Sequence, residues 1–356
     1  MTTKPNNNFL RGARRYAFAL LAMLTFMTGY AQQHEFTLED LNFGGTNYHN
    51  MVPKNRHLTW WGDQLVRLDV EECSTVDKKT GKEKILFTLD DINKWAETKD
   101  DSEKIRHLMY ASFPYPGKPL VLVKRKNERL LIDFKAKKTV WKQSAEGETH
   151  ADWNAKSRAV AFVKDDNLYV TDAEGNTRQL SNDGSHDIVY GQSVHRDEFG
   201  IYKGTFWSND GQKLAFYRMD QSMVTDYPLV NIDTRVATEL PTKYPMAGET
   251  SHKVTVGVYD LKTGKTVYLK AGDPTDRYFT NIAWSPNNEA VYMIELNRDQ
   301  TDMELVKYDA STGEKLSTLY KEHHDKYVHP VNPITFLPWD ADKFILQSEK
   351  DGYNHL

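Results

Sequence analysis

From Tyr48 onward, short apolar alternations are separated by clusters of Gly, Asn, Asp and Lys. This is the punctuation of β-strands joined by tight turns. Two segments break the pattern. Residues 36–41 are amphipathic, with Thr37 placed to cap a helix start. In residues 89–98 the spacing of Leu89, Ile92 and Trp95 by three predicts a helical insertion.

A repeat underlies the strand pattern. Trp153, Trp207 and Trp284 are each followed by a polar turn. An aliphatic residue stands seven positions on (Val160, Leu214, Val291), and Phe162, Phe216 or Met293 nine positions on. Residues two apart in a strand share a face, so each pair forms one apolar strip that the Trp can cover at its end. A second element follows. Strands end at Asp172, Asp260 and Asp309, and the turns after them carry Gly175, Gly264 and Gly313, with Asp77 and Gly81 as a weaker early copy. Gly supplies the positive φ of such a turn, and Asp bonds its local backbone. The two elements together make four strands, one blade of a β-propeller. The wider gap from Trp207 to Trp284 than from Trp153 to Trp207 predicts an insertion, placed at residues 221–253.

Composition narrows the setting. Hydrophobic residues make up 39% and mean hydropathy is −0.68, which excludes a chain of many membrane-spanning helices. The 46 basic and 50 acidic residues give a net charge of −4, with no basic footprint for nucleic acid. Cys73 is the single cysteine, so no disulfide forms within the chain. The N-terminus predicts export. Lys4, Arg11, Arg14 and Arg15 precede an uncharged apolar run over residues 16–27, and small residues close it near Ala31. Residues 1–31 read as a secretory signal peptide, with Gln32 as the first mature residue and a periplasmic or extracellular destination.

Candidate chemistry is sparse. The chain has no Gly-x-Ser-x-Gly elbow. Gly191-Gln-Ser-Val-His195 comes nearest but lacks the closing Gly, and His195 reads as a structural or rim residue. His323 and His324 are adjacent without partner ligands, so no metal and no cofactor are predicted. Asp197 and Glu198 are adjacent acids before an aromatic residue. On the residues alone they form a solvated turn; facing a cavity, they would hold a cation such as a peptide α-ammonium.

Several motifs now carry a resemblance. Asp197-Glu198-Phe199 is followed by Tyr202, Phe206-Trp207-Ser208 and Leu214-Ala215-Phe216-Tyr217. Residues 217–224, Tyr244-Pro245-Met246-Ala247-Gly248, residues 254–260 and residues 347–356 extend the set. This set resembles the N-terminal propeller of the dipeptidyl peptidase IV and prolyl tripeptidyl peptidase family of serine peptidases, in its bacterial form. The resemblance runs from about residue 139 to 356 and is densest across 190–260.

The resemblance implies an all-β, eight-bladed type of propeller over residues 32–356, incomplete here because eight blades of roughly 40–45 residues exceed the mature length. It implies that Glu198 is the main acid binding the substrate's free amino terminus. Asp197 stands where the family has a second Glu on a short helix, and its side chain is one methylene shorter. Members with a weakened pair include tripeptidyl peptidases, so dipeptide and tripeptide release after Pro or Ala both stay open. The family also places an arginine on the substrate carbonyl, for which Arg125 and Arg129 are both candidates. The catalytic Ser, Asp and His belong to an α/β-hydrolase domain absent from this chain and expected beyond Leu356, so this part should be inactive alone. Homodimerisation of the full-length enzyme is left open. The alternative is a non-catalytic secreted propeller acting as a binding scaffold, which the coding sequence downstream would decide.

Overall fold

Each of the predicted Asp-to-Gly turns is present. Gly81, Gly175, Gly264 and Gly313 all have φ between 67° and 92°. The Asp309 carboxylate accepts the backbone N–H groups of Ser311 and Thr312, both at 2.8 Å, and Asp77 does the same for Lys79 and Thr80. These local bonds fix where one strand ends and the next begins.

In this computed structural model residues 35–51 and 57–356 are described. They fall into two units that divide at Arg56 and His57. In the first, the helix Leu38–Leu41 starts at a capping box in which Thr37 Oγ1 accepts the Asp40 N–H and the Asp40 carboxylate accepts the Thr37 N–H. A second short helix covers Thr46–Met51. The predicted signal peptide, residues 1–31, lies outside the described residues.

The second unit is a series of antiparallel meanders. The strands Leu58–Trp61, Gln64–Leu68, Glu72–Val76 and Glu83–Thr88 pair in order, as do Thr149–Trp153, Val160–Lys164, Asn167–Thr171 and Thr177–Gln179. A third such sheet joins Arg277–Trp284, Ala290–Asn297, Asp302–Asp309 and Lys315–His323. The sheet Leu120–Arg125, Glu128–Asp133, Lys138–Ser144 has three strands. Among the described residues no sheet closes on itself. The predicted helix is Leu89–Trp95, capped by Thr88, with Ile92 and Trp95 buried.

The sheet around the strand Lys213–Asp220 differs at both ends. Its partner on one side is split into Ile188–Tyr190 and Thr205–Trp207, which pair with the same strand on either side of residues 191–204. On the other side it pairs with Lys253–Asp260. The predicted insertion lies between these two strands and forms a hairpin, Asp226–Asn231 against Thr238–Lys243. Its apolar residues Val230, Ile232 and Val236 are exposed.

Period-two alternation decides how the sheets stack. Leu214 and Phe216 pack on one side with Ala159, Ala161 and Leu168 of the preceding meander. Ala215, Tyr217 and Met219 of the same strand point the other way and pack with Phe279, Trp284, Val291 and Met293 of the following one. That meander's opposite face, including Tyr292, Ile294 and Leu305, meets Ile334, Phe336 and Phe344. These two sheets therefore bury both faces against their neighbours, the packing of propeller blades. The repeated Trp residues add a polar link. Trp207 Nε1 donates to the Asp152 carbonyl and Trp284 Nε1 to the Phe206 carbonyl, each at 2.9 Å. In both cases the acceptor is the residue just before the preceding Trp.

Candidate functional site

Residues 191–204 leave the sheet and return to it at nearly the same point. Gly191 N–H donates to the Tyr217 carbonyl, and Tyr217 N–H donates to the Gly204 carbonyl, both at 2.9 Å. At this neck a Cβ on Gly204 would overlap the backbone of Gln192, so only glycine lets the two limbs pass. Within the excursion Val194, Phe199 and Ile201 are buried. Phe199 packs on Tyr278 at 5.0 Å and on His329 at 5.9 Å between ring centres. Between these anchors Arg196, Asp197 and Glu198 are exposed. The apolar positions pin the loop and leave three charged side chains on its crest.

The resemblance implied a short helix at this point. The structure has one turn of 3-10 hydrogen bonding with left-handed dihedrals: φ is 53° at His195, 56° at Arg196 and 65° at Asp197. Consecutive left-handed non-glycine residues are costly and persist only where the surroundings hold them. His195 is that hold. It is buried, its Nε2 accepts the Phe279 N–H at 3.1 Å, and its Nδ1 lies 2.8 Å from His252 Nε2. A backbone N–H can only donate, so His195 Nε2 carries no proton and its Nδ1 does. His195 then donates to His252, whose own proton is on Nδ1. Burial pushes both imidazoles down, His252 to about 4, with Arg196 and Arg298 adding to the effect on His252.

The two predicted acids part company here. Asp197 accepts a hydrogen bond from Ser193 Oγ, which turns it back onto its own loop. Glu198 lines a cavity of about 300 Å³ together with Arg196, Tyr244, Pro245, Tyr278 and Arg298. Its carboxylate makes no hydrogen bond or ion pair among the described residues. The opposite wall is held in place: Arg298 Nη1 donates to the Asp276 carboxylate at 2.8 Å, and Nη2 donates to the Glu249 carbonyl. Arg196 lies over the Tyr244 ring at 5.3 Å. Burial raises the Tyr278 phenol; the charge of Arg298 opposes that shift, and the charges of Asp276 and Glu198 add to it. The cavity thus offers one free carboxylate, two guanidinium groups and aromatic walls. It suits a ligand with an ammonium at one end and carbonyl oxygens beside it.

The arginine candidates lie elsewhere. Arg125 donates to Glu128 and Thr98, and Arg129 is buried against Glu148 and Gln143. Neither lines the Glu198 cavity. His323 bonds to Asp302 and Asp325 on an exposed edge.

The sequence profile for the dipeptidyl peptidase IV (DPP IV) N-terminal region matches residues 121–356. The chain belongs to that family. A solved structure described as a putative dipeptidyl aminopeptidase IV from Bacteroides ovatus is 47% identical. It superposes with a TM-score of 0.80 over 90% of this chain and 44% of its own. Porphyromonas gingivalis dipeptidyl peptidase 4 shares the fold, with a TM-score of 0.71 at 20% identity over 90% of this chain and 47% of its own. A probable dipeptidyl-aminopeptidase B of Talaromyces marneffei is 28% identical over 233 residues, 58% of this chain and 26% of that protein. The chain therefore spans about a quarter of the length of that curated relative and less than half of the solved chains. DPP IV membership accounts for the mostly β, multi-sheet architecture and its propeller-like packing.

Within this DPP IV region, Glu198 is marked by the family resemblance, since on the residues alone Asp197 and Glu198 form a solvated turn, and Arg298, Tyr278 and His252 are not marked at all. The Tyr244-Pro245-Met246-Ala247-Gly248 run entered only as a family likeness, yet Tyr244, Pro245 and Ala247 line the cavity. No local pattern marks the others, because they reach the site from in or beside strands far along the chain.

Proposed function

We propose that this chain is the substrate-gating part of an exported serine exopeptidase that releases di- or tripeptides after Pro or Ala. In this reading its sheets are blades of an eight-bladed propeller, and bond cleavage falls to a Ser-Asp-His α/β-hydrolase domain of the same protein. Glu198 binds the free amino terminus of the peptide and so measures the substrate from that end. The observation that carries the reading is the unpartnered Glu198 carboxylate on the rim of a cavity whose other charged groups are arginines. Peptide carbonyl oxygens next to the ammonium would face Arg196 and Arg298. Asp197, bound to Ser193, contributes little to the amine. Export rests on the leader pattern of residues 1–31.

The deciding experiment is Glu198→Gln in the full-length enzyme. The change keeps the shape and removes the charge, leaving a partly desolvated ammonium without its partner, at about 2–5 kcal/mol. kcat/KM for free-amine prolyl peptides falls roughly 30- to 1,000-fold, while N-acetylated peptides are poor substrates for both proteins. A change below about threefold overturns the assignment. N-terminal sequencing of the exported protein should begin at Gln32; retention of residues 1–31 in a membrane fraction overturns the leader reading.

A further inference from the structure

We propose that His195 and His252 form a neutral, tautomer-locked pair whose role is to position Glu198 for ligand binding. The proposal rests on the reading of Glu198 as the amine-binding group and goes beyond it. Three observations converge. The turn that presents Glu198 has positive φ at His195, Arg196 and Asp197, a conformation its own residues do not favour. His195, the first of them, is tied to two separate elements: the Phe279 N–H at the start of the next meander, and His252 just before the strand Lys253–Asp260. Both rings are buried, stacked at 5.0 Å, with Tyr278 packed edge-on against His195 at 4.9 Å.

The hydrogen-bond logic allows one arrangement. The Phe279 N–H demands a bare Nε2 on His195, which puts the His195 proton on Nδ1 and demands a bare Nε2 on His252. A proton added to His252 Nε2 would oppose two N–H groups at 2.8 Å and break the tie. Arg196, Arg298 and Glu198 are the charged groups that share the cavity lining with the pair; the two arginines disfavour that proton, and Tyr278 is the titratable neighbour. The pair therefore stays neutral at ordinary pH and fixes the turn without adding a charge to the cavity that Glu198 lines.

The test uses the full-length enzyme with free-amine and N-acetylated prolyl peptides. His252→Asn withdraws the acceptor from the Nε2 position; His252→Gln returns an oxygen to it. The proposal expects H252N to raise KM for free-amine peptides about tenfold with kcat within twofold, and H252Q to restore KM to within about twofold of wild type. Equal losses in kcat and in both substrate types, or a wild-type KM in H252N, overturn it. Glu198→Gln is run beside them. If E198Q raises KM and H252N does not, positioning fails and the amine-binding reading stands. If E198Q has no effect, the reading fails and the positioning role falls with it. Imidazole nitrogen NMR of the wild type needs no variant: both rings should be neutral at pH 6, each with its proton on Nδ1. A His252 cation at pH 6 with unchanged KM overturns the proposal.

Discussion

Trp284 donates its indole N–H to the carbonyl of Phe206, one residue before the Trp that opens the preceding repeat. Trp207 makes the same bond to Asp152, one residue before Trp153. The indole N–H of Trp153, by contrast, is buried without a partner. The turns run in series as well: Asn209 bonds to Asn288 at 2.7 Å and to the Ser285 carbonyl at 2.9 Å. The repeat is thus a stitching device between sheets as well as a way to fill each one.

Trp284→Phe should cost about 2–4 kcal/mol, combining lost packing with the loss of the inter-sheet hydrogen bond. Trp153→Phe should cost about 1–2 kcal/mol less than that, since it removes an unsatisfied N–H. Urea denaturation of the two variants checks the order; equal losses would show that the inter-sheet bond adds nothing.

Gly204→Ala should destabilise by about 2 kcal/mol or more, because the new methyl group meets the Gln192 backbone rather than a movable side chain. The damage falls at the neck of the excursion, so KM for free-amine peptides should rise along with the drop in melting temperature. Thermal melting and steady-state kinetics on one preparation give both readings.

Stability should depend on the histidine pair in acid. The folded-state pKa of His252, about 4, lies below its ordinary 6.5, so between these values the unfolded chain binds the extra proton. The contribution is fully present above pH 6.5, declines as pH falls towards 4 and is gone below it. His195 shifts in the same direction. Urea midpoints at pH 7 and pH 4.5 should differ less in His252→Gln than in wild type; an equal difference would remove His252 from the acid response.

Asp197→Asn should change kcat/KM for free-amine peptides by less than about threefold, because Asn keeps an acceptor for Ser193 and tolerates the left-handed backbone. Asp197→Glu extends the side chain by one methylene and should move product release from tripeptides towards dipeptides. Product analysis by mass spectrometry measures the ratio, and an unchanged ratio removes Asp197 from length selection.

Much of the architecture was legible because it is written locally. The Asp-to-Gly turns, the Thr37 cap, the helix at Leu89–Trp95 and the apolar strips after each Trp are fixed by residues a few positions apart. The insertion between Gln221 and Lys253 was legible from the repeat's altered spacing, and it contains the hairpin. The site was legible only in part. Asp197 and Glu198 are visible as an acidic pair that only the family resemblance turns into a site, and His195 finds its partners 57 and 84 residues away, at His252 and Phe279. Such pairings depend on how sheets stack, which strand periodicity does not record. The left-handed turn was also invisible, since no glycine marks positions 195–197.

The excursion over residues 191–204 enters and leaves the sheet through a gap that the strand Lys213–Asp220 bridges without a change of register. Its chemistry is therefore separable from its scaffold. The exposed crest residues Arg196, Asp197 and Glu198 can be exchanged or recharged while the buried anchors Val194, His195, Phe199 and Ile201 and the ladder on either side stay in place. Under the proposed function, substitutions on this one crest would change how much of a substrate's amino end is accepted, with the stacked sheets left as they are.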